Sequence, residues 1–133
     1  MAGSSPGDVS PEEAPHDPLL VTTARLLEAY FEGRPVSFDL PIALEGLTPF
    51  ATRVLRACAA IQWGETRSYG EVAAAAGSPG SARAVGQALA RNPVPVIVPC
   101  HRVIGADGSL TGFGQGLEMK RRLLNLERIA VAD

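Results

Sequence analysis

A chain of 133 residues, 46% of them hydrophobic, has the length for one compact core and is too short for two. Cys58 and Cys100 lie far apart and His16 and His101 stand alone, so neither a disulfide scaffold nor a zinc site is expected. No apolar run approaches a membrane span and no signal-peptide pattern opens the chain, which predicts a cytoplasmic protein with no membrane contact. The net charge of -2 disfavours a nucleic-acid binder, yet residues 1–46 carry eight acids against Arg25 and Arg34 while the remainder carries ten bases against six acids. A basic C-terminal part of this kind suits a modest DNA-contacting face as well as an ordinary solvated surface.

Residues 1–17 are rich in Pro, Gly, Ser and acids and read as a disordered tail. From Pro18 to Gly33, Leu19, Leu20, Ala24, Leu26, Leu27, Tyr30 and Phe31 predict an amphipathic helix closed by Gly33 and Pro35. Val36 to Leu40 then alternates apolar and polar, as a half-buried strand does. Thr48-Pro49 is a helix start, with Thr as N-cap and Pro at the first helical position. Phe50, Val54, Cys58 and Ile61 follow at helical spacing, which makes Cys58 a structural thiol on a core stripe; Gly64 is expected to end the element.

Ser68-Tyr69-Gly70-Glu71 has the form of a capping box, and Val72 to Ala76 extends a short helix that stops at Gly77. After the Gly77-Ser78-Pro79-Gly80 turn, residues 81–91 read as a second helix, and the two make a helix-turn-helix unit. Arg83 falls in the first turn of that second helix, where a cation opposes the helix dipole. It is either a solvated surface arginine or a residue that projects toward a duplex, which small neighbours such as Ala82, Ala84 and Gly86 would let approach closely. Further on, residues 105–108 form a turn and residues 112–116 a loop holding Phe113. Residues 117–127 form a last helix, with Leu117, Leu123, Leu124 and Leu126 available for the core. Its run Lys120-Arg121-Arg122 is expected on a solvated face, and Glu127 is either a surface acid or a partner for a histidine.

The stretch with chemistry in it runs from Asn92 to Val103: a proline-bracketed hydrophobic run of β type that ends on Pro99-Cys100-His101-Arg102-Val103. A thiol is mostly protonated near neutral pH, and a reactive one needs a base or a positive field beside it; His101 and Arg102 offer both. Neighbours on an extended strand point to opposite faces, so either the chain turns at Cys100 or a water carries the proton to His101. A buried cysteine at a strand end is the plainer alternative for a lone Cys-His pair.

Asn-Pro-x-Pro, three aliphatics and Pro-Cys-His-Arg-Val resemble the active-site signature of the O6-alkylguanine-DNA alkyltransferases, and the resemblance covers about residues 18 to 127, weakest before Thr48. It implies an α/β (α+β) protein in three parts: the tail 1–17, a truncated N-terminal region 18–46, and a catalytic domain 47–129. The second part would be a helix and strand left of an RNase H-like domain, the third a helical, winged-helix-like helix-turn-helix alkyltransferase domain. The implied activity is irreversible, single-turnover transfer of an alkyl group from O6-alkylguanine, or O4-alkylthymine, in duplex DNA to Cys100, by a monomer without cofactor or metal. His101 would deprotonate Cys100 through a water, Glu127 would orient His101, and Asn92 would hold the turn before the cysteine. Arg83 would fill the gap left by the flipped nucleotide on a helix bearing Ala82, Ala84 and Gly86. Tyr69 would crowd the 3' phosphate and donate to the base, in a pocket shared with Pro95, Val103, Phe113 and Gly114, with backbone groups near Cys100 and Val103 reading the base edge.

The sequence departs from the family pattern in places. Phe113 stands where many relatives have tyrosine, Gln62 where proline is frequent, the first domain lacks its earlier strands, and the zinc ligands of some relatives are missing. Two other functions compete: a non-catalytic alkyltransferase-like protein that flags damage, against which the retained Cys100 speaks because such relatives typically carry tryptophan there, and a thiol hydrolase acting on a small substrate, which leaves the arginine-bearing Ala-rich helix without a purpose.

Overall fold

The computed structural model describes residues 17–40, 44–110 and 116–129. The chain divides into two compact units, Met1–Pro41 and Ile42–Asp133. In the first, helix α1 spans Pro18–Phe31, and Asp17, which composition assigns to the tail, is its N-cap, accepting from the backbone N–H of Leu19 at 3.0 Å and Leu20 at 3.2 Å. Pro18 at the first helical position has no N–H to satisfy, and Gly33 closes the C-terminal end at φ +85°. Tyr30 is fully buried, edge-on to Phe31 at 5.2 Å and tilted against Phe38 at 6.0 Å. Leu19, Leu20 and Phe31, assigned to the apolar face, are exposed. The strand expected at Val36–Leu40 is absent: Val36, Phe38 and Leu40 are half-buried and Ser37 and Asp39 exposed, but residues 34–40 join no ladder among the described residues. The alternation reports one-sided burial, whereas a strand needs a partner as well.

Among the described residues the second unit holds four α-helices: α2 Pro49–Ala59, α3 Tyr69–Ala75, α4 Ala82–Leu89 and α5 Leu117–Leu126. Thr48 caps α2 by accepting from Ala51 N–H at 3.1 Å. The helix ends at Ala60, earlier than Gly64, whose φ of +81° serves the following turn. Ala51, Val54, Leu55 and Cys58 face the core, with Ile61 just beyond. The capping box of α3 is complete: Ser68 Oγ accepts from Glu71 N–H at 3.1 Å, and Glu71 Oε1 accepts from Ser68 N–H at 2.8 Å. Arg53 on α2 donates from Nε to Ala76 O at 3.0 Å, closing the other end of α3. Gly77 and Gly80 take positive φ in the turn that leads to α4, whose residues Val85, Ala88 and Leu89 pack against α2 and α3.

Two short strands, β1 Arg67–Ser68 and β2 Val103–Ile104, pair in parallel with Arg67 opposite Val103 and Ser68 opposite Ile104. This ladder places Tyr69, the first residue of α3, beside the chain that leaves the cysteine.

Candidate active site

The run from Val94 to Val98 is no strand. After α4, Asn92 folds the chain back on itself: its Oδ1 accepts from Val94 N–H at 2.9 Å and its Nδ2 donates to Val98 O at 2.8 Å. Val98 N–H reaches Val94 O at 2.9 Å, and Val96 between them holds φ +75°. A β-branched residue in that region costs about 1–3 kcal/mol and persists only where its surroundings over-determine it. The Asn92 side chain and the flanking prolines supply that constraint.

The chain then turns at the cysteine. Cys100, His101 and Arg102 form a single turn of 3-10 helix, with Cys100 N–H on Val98 O at 2.8 Å and Arg102 N–H on Pro99 O at 2.9 Å. All three side chains are buried. Burial pushes the Cys100 thiol up, while an Asn92 side-chain hydrogen bond and the Lys120 ammonium pull it back toward the thiolate. Burial raises Cys58 far more strongly, which leaves it a structural thiol of the same core.

Behind the turn, Glu127 is only 2% exposed, just past the end of α5. Its carboxylate gathers His101 Nε2 at 2.6 Å, Arg102 Nε at 2.8 Å, Arg102 Nη2 at 3.0 Å and Gly64 N–H at 3.3 Å. Arg102 Nη1 extends the network to Ile61 O at 2.6 Å. Burial lowers the proton affinity of His101, Glu127 raises it, and the charges of Arg102 and Lys120 lower it again. Sequence reasoning placed Glu127 correctly as one of its two alternatives, but treated Arg102 only as a source of field beside the cysteine.

Lys120 is the larger correction. The run Lys120-Arg121-Arg122 does not lie on one solvated face: Lys120 is fully buried, whereas Arg122 is exposed. The Lys120 ammonium donates to Val103 O at 2.6 Å and stands 5.8 Å from the centre of the Tyr69 ring. Burial lowers its pKa to about 8. Leu117 on the same helix, expected in the core, is exposed.

Tyr69 is half-buried at the start of α3, and a β-carbon at Gly86 of α4 would lie 3.7 Å from its ring. Arg83 is exposed on α4, with Ala82 and Ala84 half-buried beside it. Pro95 is half-buried in the Asn92 loop, bridged to Val98. Val103 is fully buried, gives its N–H to Cys100 O and has its carbonyl taken by Lys120, so both of its backbone groups are engaged within the protein. Phe113 and Gly114 lie outside the described residues. Tyr69 and Lys120 thus gather near the cysteine turn, with Asn92, His101, Arg102 and Glu127 behind it, and Arg83 stands apart on the outer face of α4.

A methylated-DNA--protein-cysteine methyltransferase of Mycobacterium tuberculosis is 56% identical over 102 residues, covering 77% of this chain and 61% of that protein. A methylated-DNA--protein-cysteine methyltransferase of Methanosarcina acetivorans is 47% identical over 127 residues, covering 96% of this chain and 81% of its own length. The chain thus spans about three fifths of the mycobacterial relative. The crystal structure of Mycobacterium tuberculosis OGT in complex with DNA superposes with a TM-score of 0.77 at 52% identity, over 82% of this chain and 67% of that one. The ribonuclease-like domain model of 6-O-methylguanine DNA methyltransferase matches residues 3–44 and its DNA-binding domain model matches residues 49–129. With more than half of its length inside the second of these models alone, the chain belongs to the 6-O-methylguanine DNA methyltransferase family.

Proposed function

We propose that the chain repairs duplex DNA by moving the alkyl group of an O6-alkylguanine, and by the same chemistry of an O4-alkylthymine, onto Cys100 once and irreversibly. The observation that carries this reading is the buried turn that sets Cys100 beside a histidine whose far nitrogen is held by a carboxylate at 2.6 Å. That is the geometry of an activated nucleophile with an oriented base.

Cys100 gives its proton through a water to His101. Because Nε2 faces Glu127, the proton arrives at Nδ1, and the carboxylate steadies the imidazolium. Sγ attacks the alkyl carbon, the carbon–O6 bond breaks, and its electron pair leaves with guanine, which takes a proton from the Tyr69 hydroxyl or from solvent. The thiolate's electron pair becomes the carbon–sulfur bond and the base leaves with the pair of the carbon–oxygen bond, so the displacement itself calls for no cofactor. The thioether that remains has no leaving group to expel, and the protein is spent.

The alkyl group starts inside the base stack, so the nucleotide must be extruded at a cost on the order of a few kcal/mol. The small-residue surface of α4 with exposed Arg83 suits an approach from the minor groove, with the guanidinium filling the gap. Tyr69, next to Gly86 at the start of α3, is placed to crowd the backbone 3' of the lesion. We assign Pro95, Val103, Phe113 and Gly114 to the base pocket and Asn92 to the support of the cysteine turn. Cys58 and Cys100 are both free thiols, which suits work in a reducing cytoplasm. No helix among the described residues is long and apolar enough to cross a membrane.

The test is to incubate the protein with a duplex holding one O6-methylguanine and to weigh the intact chain and its peptides. One methyl group on the Cys100 peptide, never exceeding one equivalent, is the expected result. Tight binding without transfer would make the chain a damage sensor, and turnover of a small substrate without DNA would make it a thiol hydrolase.

A further inference from the structure

Arg102 makes no contact that the transfer reaction itself demands. It is nonetheless 4% exposed and spends its whole guanidinium inside the protein, two nitrogens on the two oxygens of Glu127 and the third on Ile61 O. A bidentate fork of this kind is the strongest way to neutralise a carboxylate. The same carboxylate carries His101 Nε2 at 2.6 Å. An uncompensated buried carboxylate at that distance would draw a proton onto the imidazole at rest, and a protonated imidazole cannot act as a base.

We propose that Arg102 is a positioning residue that cancels the charge of Glu127, so that His101 rests neutral and ready to accept the proton of Cys100, while its third nitrogen fixes this pair to the end of α2. The assignment rests on the alkyl-transfer reading only for its consequence, since the charge balance exists without DNA. Among the described residues, the charged groups that act on His101 include Glu127 and Lys120 from the α5 segment and Arg102 beside it on the turn, with the Cys100 thiol adjacent. Lys120 adds its charge in the same sense as Arg102, and its own bonding is to Val103 O rather than to the carboxylate.

The test follows the His101 ring proton by NMR through a pH titration of the full chain without DNA, with His16→Gln identifying the other histidine. In the unaltered protein the midpoint should fall below the ordinary histidine value of about 6.5. Arg102→Met, similar in length and uncharged, should raise it by about one pH unit or more, a tenfold gain in proton affinity. The acid limb of the single-turnover transfer rate should move to higher pH by the same amount. Arg102→Lys, which restores charge without the fork, should return the midpoint to within about half a unit of the original.

A midpoint at or above the ordinary value in the unaltered protein overturns the assignment without any variant. So does a folded Arg102→Met chain whose midpoint has not moved. If Arg102→Met does not fold, Arg102→Lys decides: a midpoint raised by a full unit despite the retained charge sinks the proposal. Failure of the unaltered protein to take a methyl group sinks the transfer reading instead, and leaves the titration standing.

Discussion

The surroundings of Glu127 and the outer face of α4 follow opposite logics. Around Glu127 four donors converge on one buried carboxylate, and each of these residues is accounted for by another residue of the chain. The outer face of α4 shows no such network among the described residues. Ser81 makes no side-chain cap, Arg83 opposes the helix dipole and is exposed, and small residues line its half-buried positions. Helix α3, one turn earlier, has a complete capping box, so the same chain is able to finish a helix start when stability is the purpose.

Breaking the first region should have the largest effect. Glu127→Gln leaves Arg102 buried without a counter-charge and one acceptor oxygen where Arg102 and His101 share two, and removing one partner of a buried pair costs about 3–5 kcal/mol. The expected outcome is a urea midpoint far below that of the unaltered chain, together with single-turnover transfer slowed by about a hundredfold or more. A variant of unchanged stability would show that the network does not hold the turn.

Lys120 sharpens the contrast, because it is a charge buried close enough to act on Cys100. Its folded pKa of about 8 lies below the unfolded 10.5, so the unfolded chain binds the extra proton between those values. Unfolding free energy then rises with pH in that window: the cost of burying the ammonium is complete below about 8 and is relieved toward 10.5. Both thiols, raised by burial, act with the opposite sign on the alkaline side and are present in both chains compared, so the difference reports Lys120 together with its coupling to them. The stability of the unaltered protein minus that of Lys120→Met should therefore increase by up to about 3 kcal/mol between pH 8 and 10.5. A flat difference would mean that the ammonium is solvated.

What could be read from the sequence divides along similar lines. Thr48-Pro49, the Ser68 to Glu71 box and the Gly77 turn are contacts within four residues, and their patterns determine them locally. Cys100, His101 and Glu127 were legible as a motif and a distant acid. Lys120 was not, because it stands in a basic run and its burial is set by Val103 and Tyr69, residues remote in sequence. Arg102 was misjudged for the same reason, its partners being Ile61 and Glu127. The Val94 to Val98 run has the composition of a strand, but the Asn92 amide, bonded to residues on both sides of Val96, outweighs that propensity. At residues 36–40 the pattern recorded burial and could not record whether a neighbour was there to pair with.

The outer face of α4 is broken by Arg83→Ala, and here the expected effect on the fold is close to nil. The side chain is exposed in the first turn, so its loss should shift stability by less than about 0.5 kcal/mol, and toward greater stability because a cation leaves the positive end of the helix. If Arg83 occupies the space of an extruded nucleotide, transfer from duplex O6-methylguanine should fall about tenfold, near 1.4 kcal/mol of transition-state stabilisation. Methylation of Cys100 by iodomethane, which needs no extrusion, should keep its rate. Equal losses in both reactions would place the effect in the cysteine turn. No loss in either would make Arg83 a solvated arginine, and the open face of α4 would then need another explanation than DNA.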